Sequence, residues 1–141
     1  MKFEMEGLDA LILGLEELAA LPDEVLLEML EAEAEVIKAA QVRSIQETFS
    51  AQRTHQLEQS LKVNSQLRRS RNGDAYITMT PSGTRENGVR NAEVAFVEEF
   101  GAKNRGIPAH QWMRRANESA ADDAVEAAAR VYDQHLEDKG L

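Results

Sequence analysis

Three histidines, His55, His110 and His135, are the side chains best able to move protons near neutral pH. Asp122, Asp123 and Glu126 form a carboxylate group that could be taken for a cation site. Catalysis or metal binding needs such groups to converge. The histidines stand at least 25 residues apart, and none has a partner ligand or nucleophile at a recognised spacing. The three carboxylates fall on the polar arc of the last helical segment, where a solvated face accounts for them. Ser60 and Ser65 have no base in view. Glycine-rich phosphate loops, H-E-x-x-H and G-x-S-x-G are absent from the sequence. The chain has no cysteine, which removes disulfides, thiolate metal sites and cysteine nucleophiles. We therefore expect no enzyme, no cofactor and no metal.

The charge pattern says more. The net charge is −9, unevenly spread. Residues 1–40 hold eleven acids and two bases, and residues 116–141 hold seven and two. Residues 41–71 reverse this, with two acids and six bases, and residues 72–115 hold five and six. Acidic poles thus flank a mildly basic middle. Such a chain is a poor general nucleic-acid binder, because neutralising phosphates supplies most of that affinity. The asymmetry suits either plain solubility or complementary surfaces in an oligomer. No apolar run reaches the roughly 18 residues of a membrane span. Glu4, Glu6 and Asp9 stand where a signal peptide would be basic, so we expect no secretory leader and no membrane partner.

A chain of 141 residues suits one domain, 1–141. Leu8, Leu11, Ile12, Leu15 and Leu18 recur at helical spacing and predict a short amphipathic helix over 8–20. Pro22, followed by Asp23 and Glu24, opens a second helix that runs to about residue 50. On its wheel Glu24, Glu28, Glu31 and Glu35 make a continuous acidic stripe, opposite Val25, Leu26, Met29, Leu30, Val36, Ile37 and Ala40. Glu33 interrupts that apolar arc, so it must be paired, hydrated or at an interface. Beyond Ala40 the apolar residues Val42, Ile45 and Phe49 move to another face, which predicts a bend or a change of partner. Residues 60–80 read as a hairpin. A three-residue loop, Arg71-Asn72-Gly73, would place Leu67 opposite Ile77 and Ser65 opposite Met79, with Gly73 left-handed; a two-residue turn would split the apolar set. Residues 81–91 and 102–107 are loops by composition. The alternation of Ala92, Val94 and Phe96 predicts a strand from 92 to about 99 that stops at Gly101. An alanine-rich helix over about 109–138 follows, with Pro108 suited to its first turn. The class expected is α+β: a small, mainly antiparallel sheet packed by a long N-terminal helix and a C-terminal helix.

Two blocks carry a family resemblance. Val94, Ala95, Phe96, Glu99, Phe100 and Gly101 fit V-A-F-x-E-F/Y-G with one extra residue between Phe96 and Glu99. Ala109, Trp112, Met113, Arg114 and Ala116 match A-R-P-F/W-M-R-x-A, with His110 and Gln111 replacing Arg-Pro. With Gly7–Leu11 (G-L-D-A-L) and Thr54–Val63 (T-H-Q-L-E-Q-S-L-K-V), where His55 replaces a glycine, they occur in order along most of the chain. The chain resembles the tail-completion or head–tail joining (neck) proteins of long-tailed double-stranded DNA phages and prophages.

That resemblance implies a structural virion protein at the head–tail junction, made in the bacterial host cytoplasm. Copies would close into a homo-oligomeric ring, meet other head-closure and tail proteins, and let DNA pass without tight or specific binding. Expected subunit or partner contacts are the loops at 81–91 and 102–107 with Glu99, Phe100, Gly101, Arg105, Trp112 and Arg114. Trp112 and Met113 also have a core reading. The acidic stripe is either a solvated face or a conduit wall that repels the phosphate backbone. Two other classes fit the composition: a nucleic-acid-binding regulator using Arg68, Arg69 and Arg71, and a helical adaptor outside phage biology.

Overall fold

The protein is described by a computed structural model that covers residues 3–6, 10–13, 21–49 and 56–140. The elements in order are β1 (Phe3–Glu6), β2 (Ala10–Leu13), α1 (Asp23–Thr48), α2 (Gln56–Ser60), β3 (Leu61–Arg69), β4 (Ala75–Pro81), α3 (Asn91–Phe100), a 3-10 turn (Lys103–Arg105) and α4 (Trp112–Asp138). The class is α+β. Four antiparallel strands in the order β1-β2-β4-β3 form one sheet, and the two long helices pack with it.

α1 begins where the sequence says it must. The Pro22 carbonyl accepts from Val25 and Leu26 N–H at 3.0 and 3.1 Å, and Asp23 and Glu24 occupy the positive end of the helix. Leu26, Met29, Leu30, Ala34, Ile37 and Ala40 bury one face, packing with Ala75, Ile77 and Met79 of β4. Past Ala40 the partner changes as the wheel predicts. Ile45 joins a second cluster with Leu57, Leu61, Ala95, Trp112 and Met113, against which Val42 and Phe49 pack.

α4 runs antiparallel to α1. Ser44 Oγ donates to the Trp112 carbonyl at 2.6 Å, and Gln41 Nε2 donates to Asn117 Oδ1 at 3.0 Å. Ala116, Ala120, Ala124 and Ala128 are the buried positions of α4 beyond its first turn. Their small side chains let the two helices approach closely.

The hairpin loop has the expected length. Ser70 N–H donates to Asp74 O at 2.9 Å and Gly73 N–H to Ser70 O at 3.0 Å, enclosing Arg71, Asn72 and Gly73, with Gly73 at φ 85°. Arg69 pairs with Ala75 and Arg68 with Tyr76, which is the register of the three-residue loop. The alignment does not persist. An irregularity between Asn64 and Arg68 shifts it, so Met79 faces Val63 rather than Ser65. Nothing lies within 4 Å of a Cβ added at Gly73. Gly73→Ala therefore carries only backbone strain, and thermal unfolding is expected to show a loss of about 1 kcal/mol.

Three expected elements are corrected. The helix over 8–20 is not present at Ala10–Leu13, which is strand β2 paired with β4 through Leu11–Ile77 and Ile12–Tyr76. A short apolar run such as A-L-I-L fits either state, and pairing with β4 decides it. The rest of that segment, including Gly7–Asp9, lies outside the described residues, as does His55. The strand over 92–99 is helix α3. Its buried residues, Asn91, Ala95 and Glu99, recur every fourth position, and Ala92, Glu93, Glu98 and Glu99 favour a helix over a strand. Finally, α4 starts at Trp112 rather than 109, so Pro108 lies before the helix.

Candidate interaction surface

The two motif blocks form one corner, where α3 ends and α4 begins. Gly101 leaves α3 at φ 78°, ψ 174°, its N–H donating to Val97 O at 2.7 Å. The chain turns through the 3-10 residues and is closed by paired bonds between Ala102 and Ile107 at 2.9 and 3.1 Å. It then returns to the same helix end. His110 N–H donates to Glu98 O at 2.9 Å and Gln111 N–H to Glu99 O at 3.2 Å. His110 Nδ1 lies 2.9 Å from Glu98 Oε2, but the contact is not aligned as a hydrogen bond. The His110 ring also meets Phe49 edge-on, centroids 5.2 Å apart.

Glu99 has a task inside this corner. Glu99 is 4% exposed, and its carboxylate accepts from Met113 N–H at 2.7 Å and from Arg114 N–H at 3.3 Å. The first turn of α4 has unpaired N–H groups, and Gln111, left-handed at φ 51°, gives no side-chain cap. An acid from the neighbouring helix supplies that cap, at the end of the helix where negative charge is favoured. Trp112 is 0% exposed, its indole N–H directed at Ala95 O at 3.3 Å.

This burial corrects part of the expected contact set. Trp112 and Glu99 are internal: one is the largest side chain of the second core cluster, the other an intramolecular cap. Gly101 serves the turn and offers no side chain to a partner. Arg114 is exposed and ion-paired with Glu118 at 3.0 Å, and Arg105 is exposed. Phe100 is 54% exposed.

The sequence reading missed the neighbour of Phe100. Phe96 is 53% exposed, and the two rings sit 4.8 Å apart on the outer face of α3. A strand reading puts Phe96 on one face with Ala92 and Val94; reading the segment as a helix places Phe96 and Phe100 one turn apart on one face, the signal that finds them. The flanking loops extend this surface. Val94 and Val97 form an open groove with Val89 from one loop and Arg105 and Ile107 from the other. Arg90, bound to Glu93 at 3.0 Å, borders Phe96 on the far side. The first loop is braced by Asn91, also missed: its side chain donates to Ser82 O at 2.9 Å and accepts from Arg85 at 3.0 Å. Two exposed aromatics in contact, with half-buried valines beside them and arginines at the rim, have the make-up of an interface centre rather than of a scattered surface.

Comparison with family models, curated proteins and solved structures gives no match.

The remaining candidates lie elsewhere. Glu24, Glu28 and Glu35 are exposed along α1 and Glu31 is half-buried, so the acidic stripe is a surface feature. Asp122, Asp123 and Glu126 are exposed on α4, and no group of three metal-capable side chains converges among the described residues. Of the three arginines near the hairpin, Arg69 is held by Asp23 at 3.0 Å. No helix among the described residues is long and apolar enough to cross a membrane.

Proposed function

We propose that this chain is a structural subunit of a tailed phage or prophage virion, completing the tail and joining it to the head as one copy in a ring around the DNA conduit. The observation that carries this reading is the paired exposure of Phe96 and Phe100 on α3, between two braced loops. A monomer gains nothing from holding two large aromatics in water, and fixed loops beside them make a surface that needs little ordering on binding.

The resemblance supplies the location; the surface supplies the means. In a ring of identical chains each contact is heterologous, so the aromatic face of one copy meets a different face of the next. With Arg90 held by Glu93, Arg105 is the rim cation left to meet an acidic counterpart, and the exposed glutamates of α1 provide one on the same chain. Glutamates left facing the conduit would repel phosphate and let DNA slide. Head-closure and tail proteins would meet the ring at its two ends.

Immunogold labelling of particles from a lysogen encoding this chain tests the reading. The expected result is label confined to the head–tail junction. Label along the tail or on the capsid, or a chain absent from purified particles, would overturn it.

A further inference from the structure

Glu33 sits on the face of α1 that packs against α4. Its side chain is 0% exposed, and neither carboxylate oxygen has a hydrogen-bond partner among the described residues. One turn away on α1 stand Met29, Leu30 and Ile37, all fully buried. Extending the antiparallel pairing of Gln41 with Asn117 along the seam sets Glu33 against the turn between Ala124 and Ala128, also fully buried.

Among the described residues, the charged and titratable groups on the surrounding elements are exposed or half-buried. On α4, Asp122, Asp123, Glu126 and Arg130 are exposed, with Arg130 bound to Glu126 at 2.8 Å, and Tyr132 is half-buried. On α1, Glu35 is exposed and Glu31 and Lys38 are half-buried. On the sheet, Lys62, Arg68 and Arg69 are exposed and Tyr76 is half-buried. None of them hydrogen-bonds to Glu33. Among the described residues no group reaches the two carboxylate oxygens to offset the burial of a charge, whereas the neutral acid loses far less on burial.

We propose that Glu33 is a protonation latch on the α1–α4 seam: the neutral acid lets the helices close, and ionisation drives them apart locally until water reaches the carboxylate. Desolvation raises the Glu33 carboxyl from its ordinary 4.5 to about 8. The closed state therefore keeps a proton that an opened state releases above 4.5. The stability of the closed seam is fully present below that pH and is lost as pH rises through about 8. Between the two values the opening equilibrium grows about tenfold per pH unit; above, it levels off because both states are ionised. Opening is local because the seam has two anchorages. The cluster around Trp112 and Ile45 is separate from the one around Leu30 and Ala124 and holds the other end of both helices.

Native-state hydrogen exchange on the full chain, from about pH 6 to about pH 9, tests this when corrected for intrinsic rates. In the wild type, amides on the turns around Glu33 and Ala124 are expected to lose protection about tenfold per pH unit up to the release point. Those around Trp112 keep theirs. Glu33→Gln, which cannot ionise, is expected to show no such slope. Equal slopes in the two proteins, or parallel loss around Trp112, would overturn the latch. If Glu33→Gln does not fold, carboxyl NMR of the wild type decides: a midpoint near 8 supports the latch, and one near 4.5 rejects it.

Discussion

Trp112→Ala is expected to destabilise the protein by about 3–5 kcal/mol. Trp112 is the only tryptophan and is wholly buried with Ile45, Leu57, Leu61, Ala95 and Met113 around it. No smaller side chain fills that volume, and the indole N–H bond to Ala95 O is lost as well. A loss of this size is a large part of the roughly 5–15 kcal/mol that holds a domain together. Urea unfolding must be followed by circular dichroism, since the fluorophore is the residue removed. Phe100→Ala is the control: its ring is more than half exposed, and its loss is expected to leave the midpoint nearly unchanged. A Trp112→Ala protein within about 1 kcal/mol of wild type would place Trp112 outside the core.

The second large effect is at Gly101. A Cβ there would stand 2.8 Å from Ala109 N, 2.9 Å from Ile107 O and 3.0 Å from Pro108 C. The backbone angles, φ 78° and ψ 174°, already belong to a region that is almost exclusively glycine's. All three atoms are backbone, pinned by the Ala102–Ile107 bonds and by His110 N–H on Glu98 O, so the loop cannot step aside. Gly101→Ala is expected to cost about 2–4 kcal/mol. It also pushes the chain that leads into α4 away from Glu99. Loss of exchange protection at the Met113 and Arg114 amides is the local signature. A variant as mild as Gly73→Ala, where space is open, would contradict the close approach.

Much of this corner was legible before any coordinates. The halt at Gly101 and the start of a helix near Trp112 come from residue type, and the link between the two blocks from the family resemblance. Which way the side chains face did not. The segment from Ala92 to Glu99 offers alternation at Ala92, Val94 and Phe96 and a four-residue repeat at Asn91, Ala95 and Glu99. The polar ends of that repeat hide it from a reading based on apolar residues. The same blindness sent Glu99 outward: an acid is expected in water unless a helix end needs it. Short runs suffered too, since A-L-I-L at Ala10–Leu13 becomes a strand only through β4. Longer periodic segments were secure. α1, with its change of partner past Ala40, and the alanine face of α4 repeat over many turns, so their pattern outweighs local ambiguity. Glu33 stands out in the sequence as a charge in an apolar arc, and among the described residues both its carboxylate oxygens are buried without a hydrogen-bond partner.

The central claim is that the Phe96–Phe100 face of α3 joins folded subunits to one another. The double variant Phe96→Asp with Phe100→Asp bears on it most directly, because both residues are more than half exposed and belong to neither core cluster. The variant is placed in a lysogen that lacks the wild-type chain, and the particles are counted by electron microscopy beside the purified variant's circular dichroism and melting curve. The account predicts a folded subunit with near wild-type melting and an accumulation of unjoined heads and tails. A folded double variant that yields complete virions at wild-type frequency would contradict it.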